Sequence, residues 1–175
     1  FLLLLGSTNF TNRRNVIRYF KFLNQGRESS NLDINVLINS CSEMSKSKTG
    51  AIIVLQKNNS LDFTLNESNF TQIKLTPQVL ESIFFKNSPL HDGAVIIVGN
   101  VIVASRVTLP VSKSKKINKS LGLRHKAGIG ITEESDAISI VISEETGKLS
   151  YIKSGKIISF KNNEELKSLI SNDLL

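Results

Sequence analysis

The chain holds 175 residues, with 22 Lys+Arg against 15 Asp+Glu, a net charge of +7 and a pI near 9.6, a length that suits one domain with a real core. At 40% hydrophobic and 21% charged residues it is neither a disordered tail nor a collagenous repeat, and its one cysteine, Cys41, excludes a disulfide scaffold and a cysteine-built zinc site and leans toward a reducing, cytosolic compartment. The excess positive charge asks for an anionic partner without choosing between nucleic acid, a membrane surface and nucleotide phosphates.

The chain opens on the apolar run Phe1-Leu2-Leu3-Leu4-Leu5, with Arg13-Arg14 behind it. Such a run is far shorter than the about 20 residues that cross a bilayer. It reads as the stump of a longer membrane segment, a remnant of expression or an ordinary first turn. Val16, Ile17, Phe20 and Leu23 predict a helix over about 12–24. A second helix is predicted from Leu32 to Met44, where Leu32, Val36, Leu37, Cys41 and Met44 keep a 3.6-residue period. That period makes Cys41 and Met44 core residues rather than redox or ligand groups.

Gly50 to Leu55 reads as a strand buried on both faces, closed by a turn over Lys57-Asn58-Asn59-Ser60. Thr76-Pro77 starts a helix, with an N-cap hydroxyl ahead of a proline at the first helical position, and Val79, Leu80, Ile83 and Phe84 form its buried face. Two apolar runs, Gly93 to Val98 and Val101 to Ser105, flank Gly99-Asn100 and predict a β-hairpin. A helix over about 122–132, strands at 137–142, 149–153 and 157–160, and a C-terminal helix near 163–170 complete the prediction. Strand pairs joined by tight turns, mixed with helices, imply an α/β fold of α+β-like character, a mixed central sheet surrounded by helices.

Three segments depart from what a core would choose. In Ser88-Pro89-Leu90-His91-Asp92-Gly93-Ala94 a His-Asp pair stands at a strand entrance, where it can ligate a metal or act as a base. Taken alone, the same triplet favours a plain turn. In Gly122-Leu123-Arg124-His125-Lys126 three basic or potentially basic side chains open a helix whose N–H groups and positive dipole end suit a polyphosphate. Gly128 and Gly130 fall inside that helix, so they do not make a dinucleotide-binding loop. In Ser143-Glu144-Glu145-Thr146-Gly147 two adjacent carboxylates close a strand, as a cation site or, taken alone, a solvated turn. Lys113, Lys115, Lys116 and Lys119 form a polar loop without interleaved aromatics, a poor nucleic-acid platform.

Together these segments resemble the diadenylate cyclase family, whose domain carries an Asp-Gly-Ala and an Arg-His-Arg motif. SPLHDGAVII, LGLRHKAGIGITEESDA and IVISEETGKLS match in order and approximate spacing, over residues from about 31 to 155. The likeness is to the membrane-anchored CdaA type, which implies residues 1–28 as a juxtamembrane or linker helix region and 29–175 as one catalytic domain. It also implies condensation of two ATP into cyclic di-AMP and two pyrophosphates, across a face-to-face homodimer. A divalent ion (Mn2+, Mg2+ or Co2+) on the triphosphate, a cytoplasmic domain with a membrane anchor, a regulatory protein, and no nucleic-acid partner belong to the same implication. A nucleotide-binding regulatory module without turnover is the alternative, and a nucleic-acid-binding domain a weaker one.

Carried over by position, the resemblance makes Asp92, Gly93, Ala94, Arg124, His125 and Lys126 catalytic. Asp92 would orient or deprotonate the 3′-hydroxyl. Leu55, Gly93, Thr108, Leu109, Gly122, Leu123, Arg124, His125, Ser143 and Glu144 would bind ATP, with Leu55 and Leu109 lining an adenine pocket. His91, Asp92 and Glu145 would hold the metal. Three positions depart from the family pattern. Lys126 stands where Arg is usual, Leu123 where Thr is common, and Thr108 where Tyr is frequent.

Overall fold

The computed structural model describes residues 31–65, 70–114 and 121–174. The apolar run, the helix predicted over 12–24 and most of the lysine loop lie outside them. Among the described residues four α-helices and seven strands follow in order: α1 (Ile34–Lys46), β1 (Ala51–Leu55), β2 (Phe70–Lys74), α2 (Pro77–Phe84), β3 (Ala94–Val98), β4 (Val101–Val107), α3 (Leu123–Glu134), β5 (Ile138–Ile142), β6 (Leu149–Lys153), β7 (Lys156–Ile158) and α4 (Asn163–Leu174). The strands make one sheet in the order β2-β4-β3-β1-β5-β6-β7. β1 and β3 run parallel, and the other described pairings are antiparallel. This is the mixed sheet expected from the tight turns.

Local chemistry starts and stops the elements. Asp33 caps α1 by accepting the Val36 N–H at 3.1 Å. Thr76 does the same for Val79 at 3.3 Å, with Pro77 in the first helical position, where its missing N–H costs nothing. Gly99 takes φ +55 in the hairpin turn, as a two-residue connection demands.

Alternate residues of the central strands feed two cores. On one face Ile53, Leu55, Val95, Ile97, Ile138, Ile140 and Tyr151 pack with α1, α2 and α4. On the other, Ile52, Val54, Ala94, Ile96, Val141 and Ile152 pack with α3, Leu61 and Leu109. Each fully buried Ile or Leu contributes about 1.5–3 kcal/mol of transfer free energy, so the paired cores dominate the stabilising side of folding. Gly128 and Gly130 let α3 press close. A Cβ on Gly128 would fall 2.7 Å from Val141 Cγ2, and one on Gly130 2.1 Å from the Pro110 carbonyl oxygen.

The structure corrects some boundaries and adds an element. β2 was not predicted, because FTQIK is half exposed with no alternation, and only pairing with β4 makes it a strand. α3 and α4 run on to Glu134 and Leu174, and β7 begins at Lys156 and ends at Ile158. Cys41 is buried in the first core as expected, with its thiol pushed up to about 12 by burial. No helix among the described residues is long and apolar enough to cross a membrane.

Candidate active site at one end of the sheet

Register alone gathers the chemistry-bearing loops. β1 and β3 are parallel with Ile53 beside Val95, so Gly50 and the His91-Asp92-Gly93 segment enter at the same end. Ala51 faces Ile142 across the antiparallel β1–β5 pair, which brings Ser143-Glu144-Glu145 to that end as well. Val107 faces Ala94, so β4 leaves there into Thr108 and Leu109. With strands about 4.8 Å apart, the order β4-β3-β1-β5 spreads these loops over roughly 14 Å.

The His-Asp-Gly segment is shaped by local turns. Ser88 Oγ accepts the Leu90 N–H at 3.2 Å, and the His91 backbone N–H donates to the Ser88 carbonyl at 3.2 Å. His91 Nδ1 lies 2.5 Å from the same carbonyl. A carbonyl can only accept, so Nδ1 carries the proton and, in the neutral ring, Nε2 keeps its lone pair. Asp92 is exposed beside it. Gly93 sits at φ +109, and a Cβ there would lie 2.7 Å from the Arg106 carbonyl carbon. The glycine therefore serves a left-handed backbone and its close approach to β4, whose residue Arg106 itself holds φ +55 beside shifts in the β3–β4 register.

α3 begins at the same end. Its N-cap is Gly122, which supplies no side-chain cap and has open space where a Cβ would stand, so no side chain caps the N–H groups of the first turn, the groups an anion at a helix start would use. Arg124 Nη1 donates to Glu144 Oε1 at 2.5 Å, tying the helix start to the β5–β6 turn. With the two side chains 31% and 52% exposed, solvent screening leaves this pair about 1 kcal/mol or less, and its value is geometric. Leu123 beside it is 71% exposed.

Several expected roles change on inspection of these positions. Leu55 is 2% exposed at the far end of β1, roughly 13 Å of strand from Ala51, and lies on the face opposite Leu109. The two pack in different cores, because strand alternation turns Leu55 toward α1, α2 and α4 while Leu109, in the loop after β4, joins the core under α3. His125 turns inward, 8% exposed, with Nε2 3.2 Å from Ser150 Oγ. Burial lowers its pKa and Lys148 lowers it further, against the opposing pull of Glu144, so in this arrangement the ring packs the helix start against β6 and does not face outward with Arg124. Glu144 holds Arg124 instead of reaching for a ligand by itself. Ser143 Oγ accepts the Glu145 and Thr146 N–H groups, both at 3.3 Å, and so caps its turn, with its own proton used by neither bond. Among the described residues no three His, Cys, Asp or Glu side chains gather into a metal site, so Glu145 does not join His91 and Asp92.

One site residue escaped sequence reasoning. Gly50 lies against the guanidinium of Arg124 and the Cβ of Glu144, and the only signal was a small residue at the entrance of a strand that is otherwise wholly apolar.

Comparison with known proteins gives consistent results. The family profile described as DAC, DisA bacterial checkpoint controller nucleotide-binding, matches residues 38–157. A diadenylate cyclase of Listeria monocytogenes is 40% identical over 132 residues, covering 75% of this chain and 48% of that protein. The cyclic di-AMP synthase CdaA of Bacillus subtilis is 34% identical over 143 residues, 82% of this chain and 52% of its own length. The chain thus spans about half the length of these curated relatives. The crystal structure of a double mutant of DacA from Staphylococcus aureus superposes with a TM-score of 0.76 at 38% identity, over 81% of this chain and 94% of that one. A Bacillus cereus protein described as a hypothetical membrane spanning protein gives 0.70 at 35% identity, over 85% of this chain and 72% of its own.

Proposed function

The chain belongs to the DAC family of DisA-type nucleotide-binding domains, and from that premise we propose that it is a diadenylate cyclase, condensing two ATP into cyclic di-AMP with release of two pyrophosphates. The observation that carries this reading is the convergence of Asp92, the uncapped start of α3 with Arg124, and the Glu144-Glu145 turn on one end of the sheet. A reaction of this kind asks mainly for positioning and charge neutralisation.

In the proposed reaction the 3′-oxygen of one ATP attacks the α-phosphorus of the other. The new P–O bond forms as the bond to the β-phosphate breaks, and the pyrophosphate leaves. Asp92, exposed at the strand entrance, accepts the hydroxyl proton at its carboxylate or orients the hydroxyl. Arg124, Lys126 and the α3 N–H groups bind the triphosphate, and the backbone at Gly93 keeps Asp92 close to β4. Two such reactions close the ring, which requires two copies of the chain face to face, each holding one ATP. Glu145 is assigned to that shared face.

His91 and Asp92 fit a divalent ion. The Nε2 lone pair left by the Nδ1 contact and the exposed Asp92 carboxylate are two donors of the right kind. When bound, the ion would neutralise charge on the triphosphate. Membrane anchorage through a segment near residues 1–28, with residues 29–175 as the catalytic unit facing the cytoplasm, and control by a regulatory protein complete the proposal.

Incubating the chain with ATP and Mn2+, Mg2+ or Co2+ is expected to yield cyclic di-AMP by mass spectrometry, and Asp92→Asn is expected to abolish product while leaving the fold intact. ATP binding without product under all three ions would instead support a regulatory nucleotide-binding module.

A further inference from the structure

Gly50 is a glycine without a backbone reason to be one. The positive-φ glycines are Gly93, Gly99, Gly147 and Gly155, so at Gly50 the chain follows a path open to any L-residue. What a side chain would lack is room. A Cβ there would lie 3.0 Å from Cζ and 3.1 Å from Nε of Arg124, and 3.1 Å from Cβ of Glu144. Contacts that tight force a neighbour to give by a few tenths of an ångström.

The two neighbours differ in what they can yield. Glu144 Cβ sits close to the backbone of the β5–β6 turn. That turn is braced by the Ser45 hydroxyl donating to the Gly147 carbonyl at 2.6 Å, by Gly147 N–H donating to Ser143 O at 2.8 Å, and by the Ser143 cap. The Arg124 atoms are the far end of a long side chain. A methyl group at position 50 would therefore move the guanidinium and leave the turn.

We propose that Gly50 is a positioning residue, its bare Cα the floor that, together with Glu144, sets where Arg124 presents its fork at the start of α3. Glu144 engages Nη1, and a guanidinium has five N–H donors, so others are held ready for an anion in a fixed plane. A displacement of a few tenths of an ångström weakens a planar, two-pronged contact more than a point-charge one. The inference rests on the reading of Arg124 as a triphosphate ligand and adds to it the residue that aims it.

The test is a double-mutant cycle on the full chain, with the ATP dissociation constant as the primary readout and product formation beside it. Gly50→Ala is expected to melt at the wild-type temperature, to weaken ATP binding roughly five- to tenfold, and to shift the Arg124 Nε–H resonance in the nucleotide-free protein. In an Arg124→Ala background, where the obstructed atoms are gone, Gly50→Ala should add nothing. An equal loss in both backgrounds, or an unchanged dissociation constant and resonance, would overturn the proposal. Should Gly50→Ala not fold, the Gly50→Ala/Arg124→Ala double variant must fold, or the proposal falls. A wild-type chain that binds ATP without forming product sinks the cyclase reading and leaves this cycle decisive. A wild-type chain that binds no ATP sinks both.

Discussion

Gly93 shows how much can rest on one missing side chain. It combines φ +109 with a position from which a Cβ would press to 2.7 Å of the Arg106 carbonyl carbon. Gly93→Ala therefore carries both backbone strain and a clash with backbone that cannot rotate away, together about 2–4 kcal/mol. Urea unfolding should register that loss, and product formation should fall with it because Asp92 is the adjoining residue. Asp92-Gly93 and Arg124 stood out in the sequence as charged groups at the edges of apolar runs, but taken alone the first reads as a plain turn, and only the three segments in order singled them out together. His125 is a case where the sequence shows the residue type but not its direction. Its motif looks like one more basic group, yet the packing of α3 on the sheet turns the ring toward Ser150, where burial lowers its pKa. Gly50 left no local mark, since its role is defined by side chains 74 and 94 positions away.

Elements repeat this division between local and distant causes. The helix start at Thr76-Pro77 was readable, because a cap is a contact across three residues, whereas the helix expected from Leu32 begins at Ile34 behind the Asp33 cap. The end of α4 was not readable. The sequence suggests a stop near residue 170, but the helix continues because Asp173 is held from β6, accepting the buried Tyr151 hydroxyl at 2.6 Å and pairing with Lys153. Burial pushes the Asp173 carboxyl upward, but the hydrogen bonds from Lys153 and Tyr151 outweigh it and hold the group below the usual carboxylate range. A depressed carboxylate adds stability that is present above its unfolded pKa of about 3.9 and is lost as pH falls through the folded value. Asp173→Ala should accordingly cost about 2 kcal/mol at pH 7, chiefly by leaving the Tyr151 hydroxyl without an acceptor. Denaturant titrations at pH 7 and pH 3 should show the gap from wild type narrowing at the lower pH.

At the scale of the molecule, the candidate site lies open at one end of the sheet, with Asp92, Glu144, Glu145 and Leu123 all exposed. In the proposed reaction a ring closed from two nucleotides would need two such ends facing each other, so specific activity is expected to rise with protein concentration until copies are paired. Sedimentation alongside the assay checks this, and a constant specific activity in a monomeric protein would exclude the face-to-face arrangement. The sequence by itself determined the alternation of strands and helices, the hairpin at Gly99-Asn100 and the three segments that depart from core composition, because period, turn residues and caps act over a few positions. Tertiary structure alone decided that β1 and β3 run parallel, that β2 pairs at the edge, that Leu55 and Leu109 part to opposite faces, and that Gly50, Arg124 and Glu144 meet. Those outcomes depend on strand register and helix packing, which couple residues far apart in the chain through backbone hydrogen bonds and excluded volume.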